Sequence, residues 1–483
     1  MSSSSPTSKI IVLAIAVAAF AFTARLLVLG DDVWFQGDSH LYAVVAENIL
    51  RHGCVSLSPP QGGLCLPHWG GNQLPAYPFF MAVVWWFTGP SHGAIALTQS
   101  FLFATAAGYL AWQIRAAGLS VLTALAIGLI VGLSPSALGF ARAVLTEELA
   151  AAAALWLLAA LVRSHRQGRL CVWEVGLSCL VGFFLRYDFA LFAVPVAVAG
   201  LMLHAWPAAL MRGLAIALIV ALPSAAWTAR NAVAGLSPLP PFGLTPDGRE
   251  LPQGALAWMG TWVKDQYQLS NTVWPLVTQD YSAISIPTAV LQQSLIGGEI
   301  EQLRGLSPAS RISPDLDRLF AAEASRIVRE QPFEQFLFLP LRRLAGMWFN
   351  PRNGMLIPPD IDSAQRTAIN ALIAQRDFAA LLSEHALALS VRAYANAWRL
   401  GAAALCLLAL PLLWRRRHTV AGFVALLALT AVATRSLVFS QTLLVETRYL
   451  TTGLVWLDAA VLCAALVLWS AWRRRDLPAG GAG

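Results

Sequence analysis

Apolar runs long enough to cross a bilayer recur along the whole chain, and they limit its fold more than any other feature. A membrane-spanning helix needs roughly 20 mostly apolar residues, because the hydrocarbon core is about 30 Å thick. Only 12% of the 483 residues are charged and 57% are hydrophobic, whereas about 25% of the residues of a soluble domain are charged. The sequence therefore excludes an ordinary soluble enzyme and predicts an all-α polytopic membrane protein.

The breaks between apolar runs predict a helical bundle of about ten spans. Residues 1–230 would form a transmembrane core with a first external loop at 30–92, residues 231–395 a mixed external domain with amphipathic, partly interfacial helices, and residues 396–483 the last spans. The predicted spans lie at about 10–29, 92–114, 120–139, 148–162, 170–185, 189–204, 210–229, 396–414, 419–437 and 450–472.

The basic residues predict the orientation of the chain. Cytoplasmic loops are enriched in Lys and Arg, so a cytoplasmic N-terminus puts the basic loops and both termini inside. Because these residues lie at helix ends, the excess of 33 basic over 26 acidic residues indicates the bilayer as a partner, and not nucleic acid. A secretory signal is the alternative for residues 10–29, but that run is long enough to span. The basic residues are Lys9, Arg115, Arg163, Arg166, Arg169, Arg212, Arg415 to Arg417 and Arg473 to Arg475.

A short apolar segment at 73–88 is bounded by uncharged loops. Counting this segment as a span would move every later loop to the opposite side of the membrane and put the basic loops outside. We therefore interpret it as a helix at the outer interface, where Tyr77, Trp85 and Trp86 suit the headgroup region.

Two cysteines, Cys54 and Cys65, lie in the first external loop. An oxidising compartment permits a disulfide between them. Because sequence alone gives no geometry, two free thiols remain the alternative.

Polar side chains that are costly near a membrane gather on the predicted outer side. Ionisable residues at membrane depth are functional candidates, and five clusters from different loops on one face indicate a shared cavity. The clusters are Asp31, Asp32, Asp38, His40, Tyr42 and Glu47; Arg142, Glu147 and Glu148; Arg186, Tyr187 and Asp188; Arg230 and Asn231; Glu446, Arg448 and Tyr449.

The first cluster belongs to residues 37–53, GDSHLYAVVAENILRHG. This segment predicts a helix along the outer membrane surface, with Asp38 as its N-cap and Gly53 as its C-cap. Tyr42 follows Asp38 by four residues, so the phenol and the carboxylate lie close together. A plain helix cap is the alternative interpretation of Asp38. The apolar side of the helix carries Leu41, Val44, Val45 and Ile49.

A first span, an external loop in which Asp-x-x-x-Tyr opens a juxtamembrane helix, and a following Pro-containing helix resemble the GT-C superfamily of polyprenyl-phosphate-sugar glycosyltransferases. Within it, the chain is similar to the branch of the protein O-mannosyltransferases, the lipid A aminoarabinose transferase and the rhizobial lipopolysaccharide core transferases. The resemblance implies a GT-C-type bundle with juxtamembrane helices. It covers roughly residues 9–235, including ARAVLTEELAAAAALW (141–156), FFLRYDFALFAVP (183–195) and Arg230-Asn231, and returns at PFEQFLFLPLRRLAGMW (332–348) and ETRYLTTGLVW (446–456).

The resemblance implies roles for individual residues. The family's catalytic base falls on Asp38, its phosphate-contacting tyrosine on Tyr42, and cationic phosphate ligands at span ends on Arg230 and Arg448. Glu147 matches an acidic residue that helps to shape the site. The chemistry agrees, because an attacking sugar hydroxyl needs a carboxylate to take its proton and a departing phosphate needs cationic or hydrogen-bonding groups. Snorkelling or ion-paired arginine is the alternative for each cation. Arg142 and Arg186 are further candidates to shape the site or contact the acceptor.

The chain departs from this family after the juxtamembrane helix. Relatives close to the aminoarabinose transferase carry Lys-Pro-Pro there, whereas residues 68–78 are HWGGNQLPAYP, without the Lys. His68, Asn72, Gln73 or an Arg from another loop could replace it.

No motif indicates a cofactor. The Asp-x-Asp of some branches is absent unless Asp31 and Asp32 contribute, so a divalent cation stays an open requirement. His40, His52 and His68 lack the tight spacing of a metal site.

The sequence therefore predicts an inverting glycosyltransferase of the bacterial inner membrane with a periplasmic active site. It would move a hexose or pentose from a polyprenyl-phosphate donor to a glycolipid, lipopolysaccharide, polysaccharide or protein. One alternative is a transporter or flippase of a lipid-linked glycan, whose charges should lie near the bilayer midplane. Another is an O-antigen-ligase-like enzyme with a diphosphate donor, which would carry its base in a large late loop.

Overall fold

The computed structural model is helical, as the hydropathy pattern predicts. Helices are the regular elements named within the described residues, and one isolated β-bridge joins Trp34 to Ala143. The all-α prediction is confirmed for this part of the chain. The structure describes residues 6–29, 33–35, 37–60, 65, 74–233, 251–307, 310–349, 365, 368–369, 371–372 and 375–475.

The described part of the N-terminal half has a helix at each predicted span and at the two segments predicted to lie along the membrane surface. Short 3-10 helices at Leu138–Arg142 and Tyr187–Phe192 precede α6 and α8. The helices are α1 (Pro6–Leu29), α2 (Asp38–His52), α3 (Ala76–Thr88), α4 (His92–Ala116), α5 (Val121–Gly132), α6 (Thr146–Gln167), α7 (Val172–Leu185), α8 (Ala193–Leu203) and α9 (Trp206–Val233).

The rest of the chain adds a group of shorter helices and then three long ones. A π-helix at Glu334–Phe338 leads into α15, and a 3-10 helix at Thr447–Leu450 leads into α18. The helices are α10 (Gln253–Gly260), α11 (Gln266–Thr278), α12 (Thr288–Gln293), α13 (Gly297–Arg304), α14 (Pro314–Glu330), α15 (Leu339–Phe349), α16 (Phe378–Arg415), α17 (Val420–Ser440) and α18 (Thr451–Arg475).

Seven described helices are long and apolar enough to cross a membrane, which is the architecture of a multi-pass helical membrane protein. Three predicted spans fall on shorter apolar helices, at Val121–Gly132, Val172–Leu185 and Tyr187–Leu203. The count of ten spans therefore stays a prediction. The seven segments are Ile11–Val28, His92–Ala116, Thr146–Gln167, Trp206–Val233, Leu389–Arg415, Val420–Ser440 and Thr447–Arg473.

Helix α6 lies at the centre of the bundle, in contact with α4, α7 and α18. Its alanine run at 150–154 allows neighbouring helices to approach closely, as small residues do in membrane bundles. Trp456 donates its indole N–H to the carbonyl of Ala154 at 2.6 Å. Arg448, just before α18, lies 3.8 Å from Glu147 at the start of α6, so the two helices start at the same end of the bundle.

Helix α1 is held at close range by α4 and α5. A Cβ atom on Gly108 would lie 2.5 Å from the carbonyl oxygen of Ala14, and one on Gly128 would lie 2.7 Å from Val17. Glycine at both positions is what permits this spacing. Farther along α1, the ion pair of Arg25 with Glu148 places the end of α1 near the start of α6.

Residues 251–349 include a helical group with its own apolar contacts. Phe320 of α14 packs on Trp258 of α10, with ring centroids 5.1 Å apart. The carboxylate of Asp317 accepts the backbone N–H groups of Gly254 and Ala255 at 3.0 and 2.9 Å, which satisfies donors at the start of α10.

Helix α15 connects this group to the bundle by packing against α16 and α17. Before it, Phe333 and Phe336 are 76% and 67% exposed. An exposed apolar stripe is what an interfacial helix presents to lipid. Helix α16 is continuous over 38 residues, so the domain boundary predicted at 395 falls inside a helix.

Candidate functional site

Helix α2 carries two residues of the candidate site, Asp38 and Tyr42. Gly37 is its N-cap, with φ of 58°, and Asp38 is its first residue. The prediction that Asp38 is the N-cap is therefore wrong by one position, because the chain enters the helix through a left-handed conformation that favours glycine. Gly53, with φ of 66°, is the C-cap as predicted.

The packed face of α2 differs from its predicted apolar side. Tyr42, Val45 and Ala46 are buried against α3, whereas Val44 is 41% exposed. Val44, which the sequence placed on the same apolar side as Val45, is thus much less buried than Val45. The structure turns the tyrosine inward and leaves Val44 on the outer surface.

Arg448 brings the first and last clusters together. Its Nη1 atom lies 3.6 Å from Oδ2 of Asp38 and 3.8 Å from Oε1 of Glu147. Its Nε atom forms a 2.5 Å ion pair with Glu446. Residues more than 400 positions apart therefore share one charged group, as the predicted common cavity requires.

Arg186 joins this group through Glu147. Its Nη1 atom donates to Oε1 of Glu147 at 2.6 Å and to Oγ1 of Thr146 at 3.2 Å, and its Nε atom donates to Asp188 at 3.0 Å. The Glu147 side chain is only 1% exposed. A buried carboxylate is stable when it is paired and hydrogen-bonded in this way.

Asp188 is held from a second side by Arg435 of α17. Arg435 donates to the Asp188 carboxylate at 2.7 Å and to its backbone carbonyl at 3.0 Å. The same guanidinium donates to the carbonyl of Tyr449 at 2.8 Å. This arrangement fixes the segment that carries Arg448.

Asp38 stands apart from the other carboxylates of the group. Glu147, Asp188 and Glu446 each have an ion pair of 2.7 Å or less. The pair of Asp38 is 3.6 Å, beyond hydrogen-bond range, and its side chain is 36% exposed. Among the described residues of this group, four carboxylates face three guanidinium groups, and Asp38 is the acid with the longest ion pair.

Tyr42 lies one helical turn from Asp38 and is 8% exposed. Burial first, and then the charge of Asp38, raise the pKa of the Tyr42 phenol above its ordinary value. The phenol therefore keeps its proton and remains a hydrogen-bond donor through the neutral range.

Tyr77 of α3 packs against Tyr42, with ring centroids 5.0 Å apart. Its hydroxyl bonds to Gln99 at 3.1 Å, and Gln99 donates to the carbonyl of Ala143 at 2.6 Å. Tyr77 and Trp85 are 0% and 6% exposed, so they pack within the protein, whereas Trp86 is 75% exposed; their placement at headgroup depth stays a prediction. Tyr77 and Trp85 position α2 from inside the protein.

Arg230 is not brought to this group. Its guanidinium donates to the carbonyl of Val55 at 3.1 Å and to Asn231 at 2.9 Å. Val55 follows the far end of α2, which is about 20 Å long. The role of Arg230 as a phosphate ligand stays a prediction without a contact to Arg448.

Arg142 ends the 3-10 helix before α6 and is half-buried. Its carbonyl accepts the N–H of Trp34 at 2.8 Å, and the N–H of Val144 bonds to the carbonyl of Trp34 at 3.1 Å. The loop after α1 is thereby tied to the start of α6.

Several predicted residues lie outside the described residues, namely His68, Asn72, Gln73, Asp31 and Asp32. His40 contacts the Phe35 ring at 4.5 Å, whereas His52 is at the other end of α2. Within the described part of the chain, no group of three or more His, Cys, Asp or Glu side chains is arranged to hold a metal ion.

Two charged contacts inside apolar helices were missed by the sequence analysis. Arg25 of α1 pairs with Glu148 at 2.7 Å, both side chains being fully buried, and its guanidinium lies 3.5 Å from the ring centroid of Phe103. Arg435 is 1% exposed. The available signal was a lone arginine within an apolar run, since intramembrane charges are paired or functional.

The loop after α2 is closed by a disulfide between Cys54 and Cys65, whose Cα atoms are 5.4 Å apart. The first of the two alternatives for these cysteines is therefore the observed one. Asn48 of α2 donates to the carbonyl of Ser56 at 2.8 Å and binds the loop to the helix.

No family model matches the chain, and neither does any curated protein or solved structure. The resemblance to the GT-C superfamily therefore rests on the sequence motifs alone.

Proposed function

We propose that the chain is an inverting glycosyltransferase that moves a sugar from a polyprenyl-phosphate donor to an envelope acceptor. The protein would have about ten spans in the bacterial inner membrane, with cytoplasmic termini and a periplasmic site beneath an external domain. The observation that carries the proposal is the pair of Asp38 and Arg448. The Asp38 carboxylate lies 3.6 Å from the guanidinium group, too far for a hydrogen bond.

The reaction is a single displacement. The acceptor hydroxyl oxygen attacks the anomeric carbon and Asp38 takes its proton, while the bond from that carbon to the phosphate oxygen breaks. The polyprenyl phosphate leaves with the bonding electron pair. Arg448 and the neutral Tyr42 phenol are the groups that would stabilise its charge.

Arg448 suits this role because its Nη1 contacts are long. At 3.6 and 3.8 Å from Asp38 and Glu147, Nη1 can turn toward a phosphate oxygen without breaking a hydrogen bond. Glu446, paired with Nε at 2.5 Å, would hold the guanidinium plane in place. Arg186 neutralises Glu147, so that this buried acid does not repel the donor.

The buried charges inside the helices also bear on the transporter alternative. Arg25 is four residues from the end of α1, Glu148 is in the first turn of α6, and Arg435 is five residues from the end of α17. All three lie within about two turns of the cluster's end of the bundle. A transport site would place them near the midplane, so the arrangement favours the transferase.

The decisive experiment uses the full chain in lipid nanodiscs with a panel of polyprenyl-phosphate hexoses and pentoses and an envelope extract as acceptor. Asp38→Asn should lower polyprenyl phosphate release by about 10²-fold or more, the usual effect of removing a general base. Glu47→Gln, on the same helix and 48% exposed, is the matched control and should keep full activity. Full release by Asp38→Asn would refute the base assignment, and donor uptake into vesicles without transfer would favour the transporter.

A further inference from the structure

A pocket of about 420 Å³ opens at the end of α6 that lies away from the Asp38 group. Glu147 is the second residue of α6 and Gln167 is its last, so about 30 Å of helix separates the two sites. This distance matches the thickness of the hydrocarbon core of a bilayer, and α6 is long and apolar enough to cross it. The pocket therefore lies at the membrane interface opposite to the Asp38 group.

Three helices and one loop form the wall of this pocket. They are the last two turns of α6, the loop that follows, the first turn of α7 and the second turn of α9. The lining is rich in arginine and includes Arg163, Gln167, Arg169, Trp173, Glu174 and Arg212.

Hydrogen bonds fix the loop between α6 and α7. Oγ of Ser164 accepts the N–H of Cys171 at 2.9 Å, and Nε2 of His204 accepts the N–H of Leu170 at 3.1 Å. Arg212 donates to the carbonyl of Leu170 at 3.2 Å. The loop is thus bound to both α6 and α9, and this brings the arginines of the two helices to one pocket.

The pocket carries an excess of positive charge. Glu174 is the one acidic residue among the described lining, and its carboxylate pairs with Arg163 at 3.1 Å and accepts the hydroxyl of Tyr109. Within the described part of the chain, neither Arg169 nor Arg212 forms an ion pair with an acid. Two guanidinium groups are therefore uncompensated, and guanidinium groups suit the geometry and charge of a phosphate.

An apolar stripe leads away from the pocket along α7, and we call it the α7 stripe. Trp173, Leu177 and Val181 are large, exposed side chains at intervals of four residues, which places them on one face of the helix. The stripe is about 12 Å long. Trp173 belongs to both the pocket and the stripe, and an indole in this position suits the headgroup region of a bilayer. A lipid chain can lie on the stripe while its phosphate occupies the pocket.

We propose that this pocket binds the phosphate group of an anionic membrane lipid, with Arg169 and Arg212 as its ligands and the lipid chain on the α7 stripe. The junction of a basic pocket with an apolar stripe carries this inference, since basic pockets between membrane helices bind acidic lipid headgroups. The bound lipid joins α6, α7 and α9 at the interface opposite to Asp38. The inference does not depend on the proposed glycosyl transfer.

The test measures lipid binding to the full chain in detergent micelles by native mass spectrometry. The probes are phosphatidylglycerol, phosphatidylcholine, polyprenyl phosphate and inorganic phosphate. Arg212→Gln should raise the Kd of the anionic lipid about tenfold, because a hydrogen bond between charged groups is lost. Arg169→Gln changes an exposed side chain and should act likewise if loss of the Leu170 contact prevents Arg212→Gln from folding.

Arg415→Gln is the matched control. Arg415 is the last residue of α16, and the contact of the His165 ring with the carbonyl of His418 at 3.0 Å puts the segment after α16 at the same end of the bundle as the pocket. Arg415 is exposed and does not line the pocket. Its replacement removes the same charge at the same interface and should leave the Kd unchanged.

The probes separate a lipid from a free anion. Phosphatidylcholine should bind more weakly than phosphatidylglycerol, because its ammonium group neutralises its phosphate. Binding of phosphatidylglycerol or polyprenyl phosphate that both pocket variants weaken would support the inference, and the lower Kd of the two identifies the lipid. Equal Kd values in Arg212→Gln, Arg169→Gln and Arg415→Gln would overturn it. Inorganic phosphate that displaces the lipid at equal concentration would also overturn it, because the lipid chain would then contribute nothing.

Discussion

The Nη1 atom of Arg448 lies 3.6 Å from Oδ2 of Asp38, close enough for attraction but too far for a hydrogen bond. The two groups can therefore separate at little cost when a phosphate enters. This relationship gives the first prediction, which concerns donor binding.

Arg448→Gln should raise the donor KM by about tenfold or more, because a hydrogen bond to a charged group contributes about 1.5–3 kcal/mol. Steady-state kinetics with a polyprenyl-phosphate sugar measure the effect. Arg304→Gln, which removes an exposed ion pair with Glu301, should leave the donor KM unchanged. An unchanged donor KM in Arg448→Gln would show that Arg448 does not bind the donor phosphate.

Breaking the buried pair of Arg25 and Glu148 should destabilise the bundle. Arg25→Met leaves a carboxylate with 0% exposure uncompensated, which costs about 3–5 kcal/mol. The double variant Arg25→Met with Glu148→Leu should recover most of this, since it removes both charges. Unfolding in a sodium dodecyl sulfate titration is the readout, and a double variant as unstable as the single one would contradict the argument.

Glu323→Gln should destabilise the helical group of residues 251–349 in a pH-dependent way. Glu323 accepts from Arg326 and from the backbone N–H of Leu295 at 3.1 Å, and the hydrogen bond with Arg326 lowers the pKa of the Glu323 carboxyl. Such a group stabilises the fold above its unfolded pKa, about 4.3, and this stability is lost as pH falls through the lower folded pKa.

The thermal unfolding of Glu323→Gln and the parent protein should therefore differ most at neutral pH, by about 1 kcal/mol after allowance for the partly exposed Arg326. The difference should shrink below about pH 4. Asp315→Asn, which breaks a fully exposed pair with Arg318, should show almost no effect at any pH. If the difference in stability between Glu323→Gln and the parent protein grew on acidification, the lowered pKa of the Glu323 carboxyl would be refuted.

Reduction of the Cys54–Cys65 disulfide should destabilise the loop after α2. The bridge closes a segment with a sequence separation of 11, for which the loop-entropy account gives about 3 kcal/mol. Dithiothreitol should lower the unfolding temperature of the parent protein but not that of Cys54→Ser with Cys65→Ser. If dithiothreitol lowered the unfolding temperatures of both proteins equally, the loss of stability would not come from the Cys54–Cys65 disulfide.

Local patterns predicted much of the fold and part of the site. The four-residue spacing of Asp38 and Tyr42 predicted their proximity, because such residues share a helix face. The confinement of charges to one end of the spans predicted that Glu147, Arg186 and Arg448 converge.

Contacts between distant helices could not be predicted in this way. Hydropathy gives no information on which helix packs beside which, so the pairing of Arg25 with Glu148 and of Arg435 with Asp188 was missed. For the same reason Arg230 was grouped with Arg448, although it contacts Val55. The hydrogen bond of Tyr77 to Gln99 likewise depends on tertiary packing, which an interfacial aromatic pattern does not reveal.

Helix α16 is longer than a membrane span needs to be. Its 38 residues reach about 57 Å, nearly twice the roughly 30 Å of hydrocarbon that a span must cross. Arg399, midway along α16, donates to the carbonyl of Trp348 at 3.1 Å. This hydrogen bond joins α16 to the end of α15. Because the carbonyl of Met347, the neighbour of Trp348, accepts the hydroxyl of Thr447, α16 is linked through α15 to the segment that carries Arg448.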